Sequence, residues 1–277
     1  MEQKAKKSAK IKLYLLIGVL VLSLAGAATF GILLIRDRLA TRQGQDFFAE
    51  MAIPMIERSA ASPQQGAGEG GQGGDIDIDA PAQQAAFAPF VVDWDYHREQ
   101  APNIVGWIQN PGTVINYPIV QGTDNDFYLD HLPNGRRNAM GSIFLDYRHA
   151  ADFSGQTILI YGHNMASGDK FSSLRRYTDR AFFEDHPTIY IFTPRGNFVI
   201  EIFAGYNIDT SVEHPPASFA SEEQFNNFMD DLRRRSFIRS DFHAEFGDQL
   251  VYLVTCTYAG TTPWRTVIIG RLVPAPW

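Results

Sequence analysis

The sequence predicts a mainly β domain with helices inserted in its loops, placed behind an N-terminal apolar helix and a flexible stalk. Three observations lead there. First, seven apolar, β-branched or aromatic runs recur between turn residues: "TVINYPIV" (113–120), "GSIFLDY" (141–147), "TILIY" (157–161), "TIYIFT" (188–193), "FVIEIFAGY" (198–206), "QLVYLVT" (249–255) and "TVIIGRLV" (266–273). Short strands at such spacing are the pattern of a barrel or a sandwich. Second, a run of 23 residues from Leu13 to Ile35 carries no charge. Third, a stretch rich in Gly, Gln, Ala and Pro (59–86) separates the two.

Each element follows in chain order. Five of the six lysines (Lys4, Lys6, Lys7, Lys10 and Lys12) form a basic tail over 1–12. The apolar run 13–35 spans roughly 35 Å as a helix, enough to cross a bilayer core of about 30 Å. Lysines before the span and a domain after it fit the positive-inside rule, although Arg36, Arg38 and Arg42 weaken the bias. The expectation is a single-pass anchor with the N-terminus cytoplasmic and the domain extracellular. A cleaved signal peptide is the rival, because "AGA" at 25–27 resembles a small-residue cleavage site. The apolar run continues eight residues past Ala27, which favours the uncleaved anchor.

Residues 36–58 form a juxtamembrane segment in which the helix can continue as far as Pro54. Segment 59–86 has too few large apolar groups to bury a core and reads as a flexible stalk with an r.m.s. reach of about 30 Å. The compact domain is expected over 87–277. "WDYHREQA" precedes its first strand as a helix. "SEEQFNNFMDDLRRR" (221–235) opens on Ser and acidic residues and closes on arginines, as a helix dipole favours.

Composition narrows the function. From residue 37 onward 18 basic side chains face 30 acidic ones, a balance of about −12, which argues against nucleic acid as a partner. One cysteine and scattered histidines supply no ligand pair at zinc-site spacing. There is no G-x-G-x-x-G and no P-loop. No metal and no cofactor is therefore expected.

The lone cysteine, Cys256, ends a strand, where a rigid scaffold presents reactive groups. A buried structural thiol is the bland alternative. A nucleophilic cysteine needs a nearby base or positive charge to hold its thiolate. Six histidines (His97, His131, His149, His186, His214 and His243) lie in helical, turn or loop segments that suit solvated or capping roles. His163 differs: in "TILIYGHNM" it follows a strand and a glycine, placed as Cys256 is placed. Arg265 opens the strand after Cys256. If those two strands are antiparallel neighbours joined by "TYAGTTPW", Arg265 returns to the end that holds Cys256, where its five donors can stabilise an oxyanion.

These residues resemble the sortases, specifically class B. The resemblance rests on "YGHNM" around His163, "L-x-T-C-T-Y" around Cys256 and the arginine opening the next strand, and it extends over roughly 90–273 through "NIVGWIQNPGTVINYPIVQGTDNDFYL" (103–129) and "GSIFLDYR" (141–148). The family's usual Thr at the start of T-L-x-T-C is Tyr252 here, one residue before Leu253. The resemblance implies an eight-stranded sortase-type β-barrel, one strand more than the seven runs above; "NPGTVINYPIV" is expected to hold two. It implies a membrane-anchored cysteine transpeptidase of a Gram-positive bacterium. Cys256 is then the nucleophile, His163 the general acid/base and Arg265 the group that orients substrate and stabilises the oxyanion, while Asn125, Leu129, Tyr161 and Thr255 line the peptide groove. The implied partners are surface proteins bearing a C-terminal sorting signal and an amine of a peptidoglycan precursor or a pilin. A hydrolytic cysteine peptidase and a non-enzymatic stalked surface protein are the alternatives. Beyond residue 12 the only lysine is Lys170. A transpeptidase accepting amines gains from a domain without self-acceptors, and a genome-wide preference for arginine explains the same count.

Overall fold

The computed structural model describes residues 2–52, 56–57, 90–256 and 263–275, with side chains for 14–52, 91–255 and 263–275. The chain divides into two compact units, Met1–Phe47 and Phe48–Trp277. The first is one helix, α1 (Glu2–Ala52), whose tail belongs to the second unit. Its most apolar stretch has a mean hydropathy of 2.3 and is unburied, with Leu15, Leu16, Val19, Leu22 and Phe30 all more than half exposed. The helix ends at Ala52, two residues before Pro54, whose ring cannot continue it. The expected stalk lies outside the described residues. The stretches on either side of it, Ile56–Glu57 and Phe90–Val91, pair antiparallel.

Eight strands close a barrel: β1 (Ile104–Gln109), β2 (Asn116–Val120), β3 (Ile143–Leu145), β4 (Thr157–His163), β5 (Thr188–Thr193), β6 (Gly196–Asp209), β7 (Leu250–Cys256) and β8 (Trp264–Pro274), in the order β8-β6-β5-β1-β2-β3-β4-β7. All seven runs form strands. The eighth is not a second piece of "NPGTVINYPIV". Residues 110–115 make a turn in which Asn110 N–H donates to Ile115 O and Thr113 N–H to Asn110 O. The missing strand is β1, just upstream. Gly106 and a register shift between Ile104 and Gly106 interrupt its apolar run, which hides its period. Gly106 is required there, because an added Cβ would come within 3.0 Å of Phe192 O and 3.1 Å of the Phe153 ring.

Strands β4 and β7 read as continuous apolar runs because both their faces are covered. Ile158, Ile160, Val251, Leu253 and Ile268 share one face and are fully buried. Leu159, Tyr252, Val254, Val267 and Ile269 share the other and join a second core cluster with Phe225, Met229 and Leu232 of α4 (Glu222–Arg235). Each such apolar side chain removed from water contributes about 1.5–3 kcal/mol before entropy is subtracted. Tyr252, which stands where the motif of the resembling family has Thr, packs in this cluster, four residues before Cys256.

The helix α4 begins where sequence places it: Ser221 Oγ accepts from Gln224 N at 3.2 Å, Glu222 and Glu223 occupy the first turn, and Arg233, Arg234 and Arg235 the last. A shorter helix, α2 (Trp94–Gln100), starts at a capping Asp93 and lays the fully buried His97 against Trp107, with ring centroids 4.9 Å apart.

Candidate active site

Two ladders assemble the end of the barrel that holds His163 and Cys256. Strands β4 and β7 run parallel in an unbroken register from Thr157↔Leu250 to His163↔Cys256. The two sequence-nominated residues, 93 positions apart in the chain, are therefore paired positions in adjacent strands. Such positions lie within about 5 Å of each other across the ladder. Strands β7 and β8 run antiparallel, as the return of Arg265 required, with Val267 paired to Val254. Arg265 lies two residues before the first of these paired positions and Cys256 two residues after it. Residues 257–262 lie outside the described residues.

His163 is held by main chain. Its Nε2 donates to Leu129 O at 2.5 Å, which leaves the basic lone pair on Nδ1, and Nδ1 is buried with no hydrogen-bond partner among the described residues. Burial lowers its pKa below 6.5 against the opposing pull of the Leu129 bond and Asp130. Two glycines make room for this arrangement. A Cβ on Gly162 would come within 2.7 Å of the Phe171 ring. Gly141 has φ +54, and a Cβ there would meet Leu129 O at 2.5 Å and His163 Nε2 at 3.0 Å.

Arg265 is half-buried, paired with Ile208 in the β6–β8 ladder, and its Nη1 donates to Trp264 O at 3.1 Å. Thr255 is buried, and its hydroxyl is engaged with the backbone of Thr266: it accepts from the N–H at 3.0 Å and donates to the carbonyl at 3.3 Å. Thr255 thus clamps β8 to β7 one residue before Cys256. Leu129 ends a 3₁₀ turn (Phe127–Leu129) and packs with Tyr161 against Val120, Tyr128 and Phe144.

Asn125 and Tyr161 meet at Asp146, a residue that sequence reasoning passed over inside "GSIFLDYR". Its side chain is fully buried. One carboxylate oxygen accepts from Asn125 Nδ2 at 3.0 Å, Tyr161 OH at 3.1 Å and Arg148 Nη2 at 2.6 Å; the other accepts from Arg148 N and Nε, both at 2.9 Å. Burial pushes its pKa up, but the Arg148 and Asn125 bonds outweigh that and hold it at about 2. The one sequence signal was an acidic residue directly after a wholly apolar strand. The three partners of Asp146, Asn125, Arg148 and Tyr161, line a cavity of about 430 Å³ together with His149 and His214 among others.

Lys170, the one lysine beyond residue 12, is fully buried, with Nζ 3.0 Å from the centroid of the Phe48 ring and 4.4 Å from that of Tyr117. Burial drives its pKa far down. Among the described residues no group of three or more His, Cys, Asp or Glu is arranged to hold a metal ion.

Known proteins give the class first and then the family. No protein-family model matches the chain. Sortase B of Listeria monocytogenes is 36% identical over 172 residues, 62% of this chain and 70% of that protein. Sortase B of Staphylococcus aureus is 30% identical over 173 residues, again 62% and 70%. Among solved structures, the S. aureus sortase B–substrate complex superposes with a TM-score of 0.62 at 28% identity, covering 65% of this chain and 84% of that one. Sortase B from B. anthracis in complex with AAEK2 superposes with a TM-score of 0.65 at 28% identity, covering 84% and 97%. The closed barrel and these relatives define a cysteine transpeptidase of the sortase class, which sorts surface proteins. The chain belongs to the sortase B family.

Proposed function

We propose that Cys256, His163 and Arg265 carry out this transpeptidation on the outer face of a Gram-positive membrane. The observation that carries the reading is the β4–β7 register, which pairs His163 with Cys256. His163 Nδ1 takes the proton of the Cys256 thiol, the resulting thiolate attacks the carbonyl carbon before the scissile bond of a sorting signal, and Arg265 faces the charge that develops on the oxygen. The C–N bond breaks, and the departing amine takes a proton from His163. A thioester remains on Cys256. An acceptor amine then attacks it, gives its extra proton to His163 and forms a new amide as the C–S bond breaks and the thiolate is restored. The lone pair on Nδ1, opposite the Nε2 bond to Leu129, makes Nδ1 the ring atom that exchanges this proton.

Asn125, Leu129, Tyr161 and Thr255 shape the groove in this reading, Thr255 by fixing β8 rather than by direct contact. The acceptor is an amine of a peptidoglycan precursor or a pilin. The apolar stretch of α1 is the membrane anchor, the basic tail 1–12 stays cytoplasmic, and residues 87–277 are the catalytic domain beyond the stalk.

The test uses the full chain in detergent with a triglycine amine and a peptide carrying Asn-Pro-x-Thr-Asn, the kind of signal that the resemblance to class B sortases implies. Wild type should yield a ligated product. Cys256→Ala and His163→Ala should fall to background, a loss of at least about a thousandfold, with unchanged melting curves. Ligation by Cys256→Ala overturns the proposal, and hydrolysis alone by wild type points instead to a peptidase.

A further inference from the structure

We infer that Asp146 is a positioning residue for sorting-signal binding: its buried carboxylate fixes Asn125 and Tyr161 in the orientation in which they meet the peptide. The inference rests on the groove reading above and deepens it.

The geometry has three parts. Asp146 is the shared acceptor for both groove side chains, through one oxygen. A carboxylate only accepts, so it sets which way both donors point. The Asn125 amide is held at both ends, since its Oδ1 accepts from Tyr147 N at 3.1 Å while its Nδ2 donates to Asp146. A flipped amide would lose both bonds. Second, Asp146 is itself rigid. Its N–H donates to Leu159 O at 2.9 Å, its carbonyl accepts from Gln121 Nε2 at 3.0 Å and from His149 N at 3.1 Å, and Arg148 closes on its carboxylate. Third, Asn125 and Tyr161 line one cavity, and Tyr161 lies on the same strand face as His163, two residues further along β4. A group that never reaches the reacting atoms but locks those that hold the peptide should act on binding and leave the chemical step alone.

Replacing Asp146 by Asn keeps size and one acceptor but puts an NH₂ against the Arg148 guanidinium. Asp146→Glu keeps the charge and moves the carboxylate by one methylene, so that it cannot serve Asn125 and Tyr161 together. Both variants are assayed as full chains with the Asn-Pro-x-Thr-Asn peptide. The expected result is a KM raised about tenfold with kcat within about twofold of wild type, the signature of lost uniform binding. Asn125→Ala is then combined with Asp146→Asn. If Asp146 acts through Asn125, the two KM effects are sub-additive.

Melting curves accompany every variant, and Asp146→Glu decides if Asp146→Asn is unfolded at the assay temperature. An unchanged KM in a folded variant overturns the inference, as does a drop in kcat at constant KM. Fully additive effects with Asn125→Ala also overturn it. Wild type that fails to turn over, or Cys256→Ala that still does, overturns the groove reading itself and not only the role of Asp146.

Discussion

At the scale of single residues, the site depends on groups that sequence cannot rank by type. Gly141 looks like any turn glycine, yet its φ of +54 and the 2.5 Å approach of Leu129 O leave no room for a Cβ. Gly141→Ala should displace the carbonyl that holds His163, costing about 1–3 kcal/mol and most of the activity. A melting curve and a turnover assay check both effects, and full activity at wild-type stability would refute the account. His97 makes a second residue-scale prediction. It is fully buried, neither ring nitrogen has a hydrogen-bond partner among the described residues, and burial lowers its pKa below 6.5 despite Asp93. Above pH 6.5 it is neutral folded or unfolded and has no effect on the balance. Below 6.5 the unfolded chain takes up the proton first, so stability falls with pH until the folded-state pKa is passed. Melting points at pH 7 and pH 5 should therefore converge in His97→Phe relative to wild type.

Among elements, α4 is the one whose ends and face were readable together. The Ser221, Glu222, Glu223 and Gln224 quartet caps its start: Ser221 accepts from Gln224 N, and Gln224 Oε1 accepts from Ala220 N at 2.7 Å. Ser221→Ala should destabilise the domain by about 1 kcal/mol, and Ser221→Asp should not. At this domain size the loss is a melting shift of about 2–4 °C. The strand β1 was missed because Gly106 and the register shift break the alternation by which strands are read. Ile56–Glu57 and Phe90–Val91, on either side of the expected stalk, pair with each other.

At the scale of the whole molecule, two units of opposite character share one chain. The first exposes apolar side chains along α1, an arrangement at home in a bilayer. Fractionation of cells expressing the full chain should place the full-length protein with the membranes, and a mature form beginning near Ala28 would refute the anchor. The second unit exposes no lysine amine. Its only lysine is Lys170, which is fully buried. An enzyme that passes a thioester to amines thus offers its own acyl group no lysine from this domain, whatever the origin of the lysine scarcity.

The sequence alone determined the class of fold and the α4 boundaries, and it nominated His163, Cys256 and Arg265 as the residues of the proposed chemistry. These are local signals: apolar runs, caps, strand-end positions, one unpaired thiol and the motifs around it. It could nominate His163 and Cys256 but not pair them, because 93 intervening residues separate two strands that become neighbours only when the barrel closes. Tertiary structure alone decided the β4–β7 register, the use of Leu129 carbonyl to hold the imidazole, and the convergence of Asn125, Tyr161 and Arg148 on Asp146. Each is a hydrogen bond or a ladder between segments distant in sequence, and hydrogen bonds are formed in space, where residue spacing along the chain carries no information.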